Sequence, residues 1–142
     1  MIIKQLSIIV ENKLGRLAEI TEIIADNKIN MRALSLAEAA NHGILRIITD
    51  EPGKAEKILK DNDLTLSVSN VLSVCIDDTP GGLAKILRIL ADNNINIKYL
   101  YVFVSKQDND KAYAVLRVKK EDVDKAAEIL KKAGYNSNEP NK

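Results

Sequence analysis

Leu17-Ala18-Glu19-Ile20, running on to Asp26-Asn27-Lys28-Ile29-Asn30, returns as Leu83-Ala84-Lys85-Ile86 and Asp92-Asn93-Asn94-Ile95-Asn96. Sliding the chain by 66 positions lays residues 15–30 on 81–96, and ten of those sixteen positions are identical. Chance would give about one identity, because two residues drawn at ordinary composition agree roughly one time in fifteen. The chain therefore holds one structural unit twice. Its 142 residues divide into a first unit at 1–69 and a second at 70–142. Units this small bury only about 60% of the surface of their unfolded chains, so pairing of the halves is expected to add stability.

Outward from the repeat, the first unit reads strand, helix, strand, strand, helix, strand. Residues 2–10 place Leu6, Ile8 and Val10 on one face of an extended segment. Residues 15–27 switch to a helical period, with Leu17, Ile20, Ile24 and the small Ala18 and Ala25 along one side and Asn27 as the stop. Strands follow at 30–38 and 43–49, and Pro52 opens a helix with Ala55, Ile58 and Leu59 inward. A strand at 64–69 pauses at Asn70 before Val71–Ile76 begins the second unit, which continues as helices at 81–93 and 121–133 and strands at 95–104 and 111–118. The second hairpin is longer, and Arg46 matches Arg117 at an offset of 71, five more than before. By that offset a last strand should recur near Tyr135, but Asn136–Lys142 is wholly polar. The second unit is thus expected to lack most of its final strand. Its exposed edge should then be covered by a strand of the other unit or a second chain, or by weak pairing of the tail.

Composition excludes several functions. A net charge of +1 with both signs interleaved argues against nucleic acid as partner. No apolar run approaches the roughly 20 residues of a membrane helix, and no signal peptide precedes the first strand. The single Cys75 fits a reducing, cytoplasmic setting. One His and one Cys make a Cys/His metal site or a Cys–His nucleophile pair hard to build, and no metal and no cofactor is expected. His42 reads as a solvated turn residue and Cys75 as core. Asp77 and Asp78 are neighbours on a strand, point to opposite faces, and make a poor acid–base pair. There is neither a phosphate-binding loop nor a nucleophile elbow. No catalytic residue is assigned, and the protein is not expected to be an enzyme.

The strand-to-helix turns hold the better candidates. Glu11-Asn12-Lys13-Leu14-Gly15-Arg16-Leu17 and Asp77-Asp78-Thr79-Pro80-Gly81-Gly82-Leu83 each end at a helix N-terminus. Such an end presents unpaired N–H groups and about half a positive charge, and so can hold a carboxylate. Gly15 and Gly81 let a ligand approach the backbone, and Glu11, Asp77 and Asp78 can accept hydrogen bonds from an ammonium. A zwitterionic amino acid fits that arrangement. The plainer reading makes Asn12 and Asp78 or Thr79 caps of their own helices, with glycine relieving a tight turn.

Asp78-Thr79-Pro80-Gly81-Gly82-Leu83, followed by Ile86, Leu90 and Asn93-Asn94-Ile95-Asn96-Ile97, resembles an ACT domain, and Asn12–Leu17 with Asn27–Met31 repeats the pattern. The resemblance covers about residues 2–133. It implies an α+β fold of two ferredoxin-like βαββαβ units in tandem, antiparallel sheets with helices on one face, paired side by side through their second strands. It also implies that small ligands, usually amino acids, bind between paired units, where the first turn of one faces the start of the second strand of the other. Carried over, that nominates Asn12, Leu14, Gly15, Arg16 and Leu17 in unit one and Asp78, Thr79, Pro80, Gly81, Gly82 and Leu83 in unit two. Asn30, Met31, Asn96 and Ile97 are the facing strand residues. Leu14 and Arg16 depart from the proline and the small residue of the pattern, which makes the second turn the stronger candidate.

Two further features bear on partners. Strand 96–104 sets Tyr99, Tyr101 and Phe103 on one face and Leu100, Val102 and Val104 on the other, so both faces are expected to be covered. Arg46 and Arg117 read as surface ion pairs or, alternatively, as carboxylate binders. The sequence thus points to a non-enzymatic regulatory module that binds an amino acid and acts through homo-oligomerisation, as a dimer, or through a regulated enzyme. The alternatives are an assembly protein with vestigial pockets and a dedicated regulatory subunit of an amino-acid biosynthetic enzyme.

Overall fold

A computed structural model describes residues 1–137; the rest of the polar tail, 138–142, lies outside the described residues. The elements are β1 (Ile2–Glu11), α1 (Arg16–Asp26), β2 (Met31–Glu38), β3 (His42–Thr49), α2 (Pro52–Asp61), β4 (Leu66–Asp77), α3 (Gly82–Asp92), β5 (Ile97–Val104), β6 (Lys111–Val118) and α4 (Val123–Lys132), the last preceded by one 3-10 turn at Lys120–Asp122. This is the α+β tandem ferredoxin-like order expected from the repeat. The pause expected at Asn70 is absent, because β4 runs unbroken through twelve residues. One compact unit is Lys4–Ser69, and the other joins Met1–Ile3 to the described residues from Asn70 onward.

In the first unit the strand order is β2-β3-β1-β4, with β3 antiparallel to both of its neighbours. Leu6, Ile8 and Val10 of β1 and Leu45 and Ile47 of β3 share a buried core with Ile20 and Ile24 of α1 and Ala55 and Leu59 of α2. Alternate strand residues face the helices, the period of two that puts a half-buried sheet under a helical layer. Ala18 and Ala25, expected on the inward side of α1, are exposed. In the second unit the order is β4-β6-β5, again antiparallel. Its core joins Leu72, Val74 and Ile76 to Ile86 and Leu90 of α3, Leu116 of β6, and Ala126 and Leu130 of α4.

The repeat extends to the helix ends. Asn27, Asn62 and Asn93 each donate a side-chain N–H to the carbonyl four residues back, at 2.8 Å from Ile23, Ile58 and Ile89. Lys28 and Asn94 follow with φ of 58° and 60°, the left-handed conformation that Asn tolerates and that reverses a chain after a helix. The offset between copies grows in two steps. Val10 pairs with Gly43 and Ile76 with Ala112, an offset of 69 in the third strand, while Ala55 and Leu59 match Ala126 and Leu130 at 71. Arg46 and Arg117 are therefore not structural equivalents. Nor does Arg117 form an ion pair among the described residues: its guanidinium donates to the Asn70 carbonyl at 3.2 Å.

Two backbone contacts stand where a last strand of the second unit would lie. The Cys75 N–H donates to the Asn136 carbonyl at 2.9 Å, as that of Ile9 donates to the Thr65 carbonyl at 2.9 Å in the first unit, although residues 135–137 are not themselves a strand. Beyond it the Ser73 N–H donates to Met1 at 2.8 Å, and the Met1 side chain packs on the second core. Residues from the start of the chain thus pair with β4 beside Asn136.

Candidate functional site

Neither Asn12 nor Asp78 nor Thr79 caps a helix. The capping positions are Gly15 and Gly81, with φ of 84° and 87° and no side-chain cap bond. An L side chain is strained in that left-handed conformation, and around both glycines the space where a Cβ would sit is open. Glycine is thus required by backbone angle, and the first-turn N–H groups of α1 and α3 are left without a capping side chain. The neighbouring position separates the copies. A Cβ on Gly82 would lie 2.1 Å from the Asp77 carbonyl oxygen, whereas unit one carries Arg16 there. The second turn folds back against its strand, and its Gly82 N–H donates to Thr79 at 3.0 Å. In the first turn the matching Arg16 N–H donates to Lys13 at 3.1 Å. The Arg16 guanidinium holds Glu19 at 3.0 Å, and its Nε is buried without a hydrogen-bond partner.

The nominated residues are distributed as follows. Asn12 and Leu17 line a cleft of about 380 Å³ formed by the end of β1, the first turn and the β2–β3 hairpin, from Leu36 to Gly43. Leu14 projects into solvent, fully exposed. In the second turn Asp78, Thr79 and Pro80 are exposed and Leu83 rests on the second core. Asn30 is exposed; its N–H donates to the Asp50 carboxylate and its carbonyl accepts the Asp50 N–H, while Met31 packs on the first core. Both sit at the start of β2, about 20 Å of strand away from the cleft at its other end. Asn96 is exposed and Ile97 packs on the second core.

His42, read from sequence as a solvated turn residue, is half-buried, lines the cleft, and pairs across the ladder with Glu11. Its carbonyl accepts the Ala39 N–H at 2.8 Å, which closes the hairpin beside the cleft. The signal that sequence reading missed is Gly43, a glycine inside a strand, which often marks a close approach.

A second cleft, of about 330 Å³, lies in the other unit between Cys75, Asp77, Asp108, Lys111 and the Ala133–Asn136 segment, and includes none of the residues 78–83. Here Lys111 pairs with Asp77, and that hydrogen bond holds the carboxyl below and the ammonium above their usual ranges. Burial pushes the Cys75 thiol up, against the opposing pull of the Lys111 charge and a hydrogen bond from Tyr113. Tyr113 in turn stacks on Phe103 at 5.3 Å. A raised thiol means less thiolate at any given pH, and the thiolate is the reactive form. Alkylation of Cys75 by iodoacetamide should therefore rise with a midpoint above that of an ordinary thiol, and Lys111→Met should move it higher still. A midpoint at or below the ordinary value would contradict this. Among the described residues no group of acidic, His and Cys side chains is arranged to hold a metal ion, and no helix is long and apolar enough to cross a membrane.

A family model described as an ACT domain pair matches residues 1–140. A crystal structure of a protein from Bacteroides thetaiotaomicron is 42% identical, with a TM-score of 0.87 over 96% of this chain and 91% of that one. The ligand-free regulatory subunit of aspartate kinase from Thermus thermophilus shares the fold at 13% identity and TM-score 0.64, over 94% of this chain and 97% of that one. So does a putative C-terminal regulatory domain of aspartate kinase from Porphyromonas gingivalis, at 17% identity and TM-score 0.54, over 93% and 94%. No protein of curated function matches the chain.

Proposed function

The chain belongs to the ACT domain family, and from that premise we propose that it is a non-enzymatic, cytoplasmic regulatory module that binds an amino acid. The ligand acts by changing how the protein associates with itself or with an enzyme of amino-acid biosynthesis. The observation that carries this reading is the pair of turns in which a left-handed glycine, Gly15 or Gly81, starts a helix whose first N–H groups have no capping side chain. Those groups and the positive end of the helix suit a ligand carboxylate. In this reading Asn12–Leu17 and Asp78–Leu83 meet the ligand, and a paired unit brings up the start of its second strand, Asn30–Met31 or Asn96–Ile97.

Solvent-facing apolar side chains on the edge strands, Leu34 and Leu36 of β2 and Val102 and Val104 of β5, offer a surface for a second copy and support a homodimer. A ligand regulates only by binding one arrangement better than another, so binding and association should change together. Thermal unfolding against the common amino acids is the direct test. Saturation at about 100 times the dissociation constant adds roughly 2.7 kcal/mol, a rise in melting temperature on the order of 5–10 °C for a chain of this size. Light scattering in the same conditions should report a dimer whose weight or stability changes with the stabilising amino acid. A flat response to every amino acid would leave the assembly-protein reading in its place.

A further inference from the structure

We propose that β2 pairs with the β2 of a second copy of this chain, antiparallel and about a two-fold axis at Ser35. The inference rests on the homodimer within the regulatory reading above, and fixes which sheet edge carries it and in what register. β2 is bonded on one side only, to β3, so its other side presents a row of unpaired backbone groups. The Ala39 N–H donates to the His42 carbonyl, toward β3. Successive residues of a strand bond to opposite sides, so Ala37 and Ser35 also face β3, and Leu34, Leu36 and Glu38 turn their N–H and C=O groups to the open edge. Their side chains are exposed too, Leu34 at 55% and Leu36 at 49%. Leu34 lies across from Ile47 and Leu36 from Leu45, both in the first core, so the two leucines carry the helix-covered face of the sheet outward past its last covered strand.

The order of residues specifies the occupant. Arg32-Ala33-Leu34-Ser35-Leu36-Ala37-Glu38 has a palindromic centre, Ala-Leu-Ser-Leu-Ala, with opposite charges at its two ends. A two-fold contact between antiparallel strands sets each residue against the one equally far beyond the axis. With the axis at Ser35, Leu34 meets Leu36 of the second copy in a hydrogen-bonded pair, Ala33 meets Ala37, and Arg32 meets Glu38 at both rims. Arg32 is exposed at the register shift between Met31 and Ala33, at the end of the strand. Moving the axis to Leu34 or Leu36 sets a charged residue against a leucine, and an axis between residues sets outward-bonding positions against inward-bonding ones. β5, the outer strand of the second unit, has no such self-complementarity: Lys98 is its only charged residue, and no acid in Ile97–Val104 can stand opposite it.

Cysteine cross-linking and sedimentation of the full chain test the pairing. In a Cys75→Ser background, Ser35→Cys should oxidise to a disulfide-linked dimer, because the residues on the axis form the close, non-hydrogen-bonded pair, about 4.5 Å between Cα atoms and within the span of a disulfide. Arg32→Glu and Glu38→Arg should each raise the dimer dissociation constant about tenfold or more, since the two-fold repeats every like-charge contact, and the two together should restore it. Leu34→Asp should dissociate the dimer, and Val102→Asp on β5 should leave it unchanged. A native chain that stays monomeric, a Ser35→Cys protein that does not cross-link, charge substitutions without mutual rescue, or a dimer lost with Val102→Asp and kept with Leu34→Asp would overturn the proposal. A thermal response to an amino acid alongside any of those results leaves the regulatory reading standing without this interface. A β2 dimer with no response to any amino acid leaves the interface standing and removes the ligand.

Discussion

Gly82→Ala is expected to lower the melting temperature by on the order of 10 °C, a larger loss than one methyl group usually causes. The added Cβ would sit 2.1 Å from the Asp77 carbonyl oxygen. That atom belongs to the end of β4 and cannot swing aside like a side-chain tip. Accommodating the methyl means opening the turn between β4 and α3, at the upper end of the ~1–3 kcal/mol typical of overpacking or beyond it. Two controls separate this clash from other glycine effects. Gly81→Ala meets no atom within 4 Å but must hold φ near 87°, a cost of about 1–2 kcal/mol. Gly53→Ala, in the first turn of α2, meets neither obstacle and should stabilise by about 0.5–1 kcal/mol. The order Gly82, Gly81, Gly53 from most to least harmful, read from urea or thermal unfolding, is the expected result. A Gly82→Ala protein as stable as the native one would mean that the turn is looser than described.

Ile86→Ala should cost about 2–5 kcal/mol. Ile86 is fully buried on α3 and belongs to the core it shares with Leu72, Val74, Ile76, Leu116 and Leu130. Removing its branched side chain forfeits the transfer free energy of the lost carbons and leaves a cavity that a sheet and two helices cannot fully close. Against a typical total of about 5–15 kcal/mol, that is a substantial fraction of the stability of the chain. Ile20, its partner in the repeat, is equally buried in the first core, and Ile20→Ala should cost a similar amount. Urea titration followed by far-ultraviolet circular dichroism measures both. A loss under 1 kcal/mol at either position would show that its core relaxes around the gap.

The helices and the duplication were legible because the apolar positions of α1 and α3 recur at identical spacing, and a buried helix face tolerates little drift. Strand register was harder. A shift of two residues keeps every side chain on its own face, so matching Arg46 to Arg117 preserved the pattern of β3 and β6 while misaligning them. Asn70 reads as a break by propensity, yet pairing with neighbouring strands overrides a weak local preference and β4 passes straight through. Of the two readings of the turns, capping by Asn12, Asp78 or Thr79 does not hold: these are good caps on paper, and Gly15 and Gly81, with positive φ, take the capping positions. His42 and Gly43 gave little sign of the cleft, because it exists only once the hairpin folds back beside the end of β1.

The strand position taken by Met1–Ile3 has a consequence for how the second unit folds. Met1 lies about 70 residues away in sequence from Ser73, whose N–H donates to it, and a contact that closes so long a loop is slow to form beside local hairpins. Ile3, buried in the finished protein, belongs to the unit that Asn70 opens and not to the one that follows it directly in sequence. The second unit is thus completed by a long-range closure, and its last step of assembly waits on residues far from it along the chain.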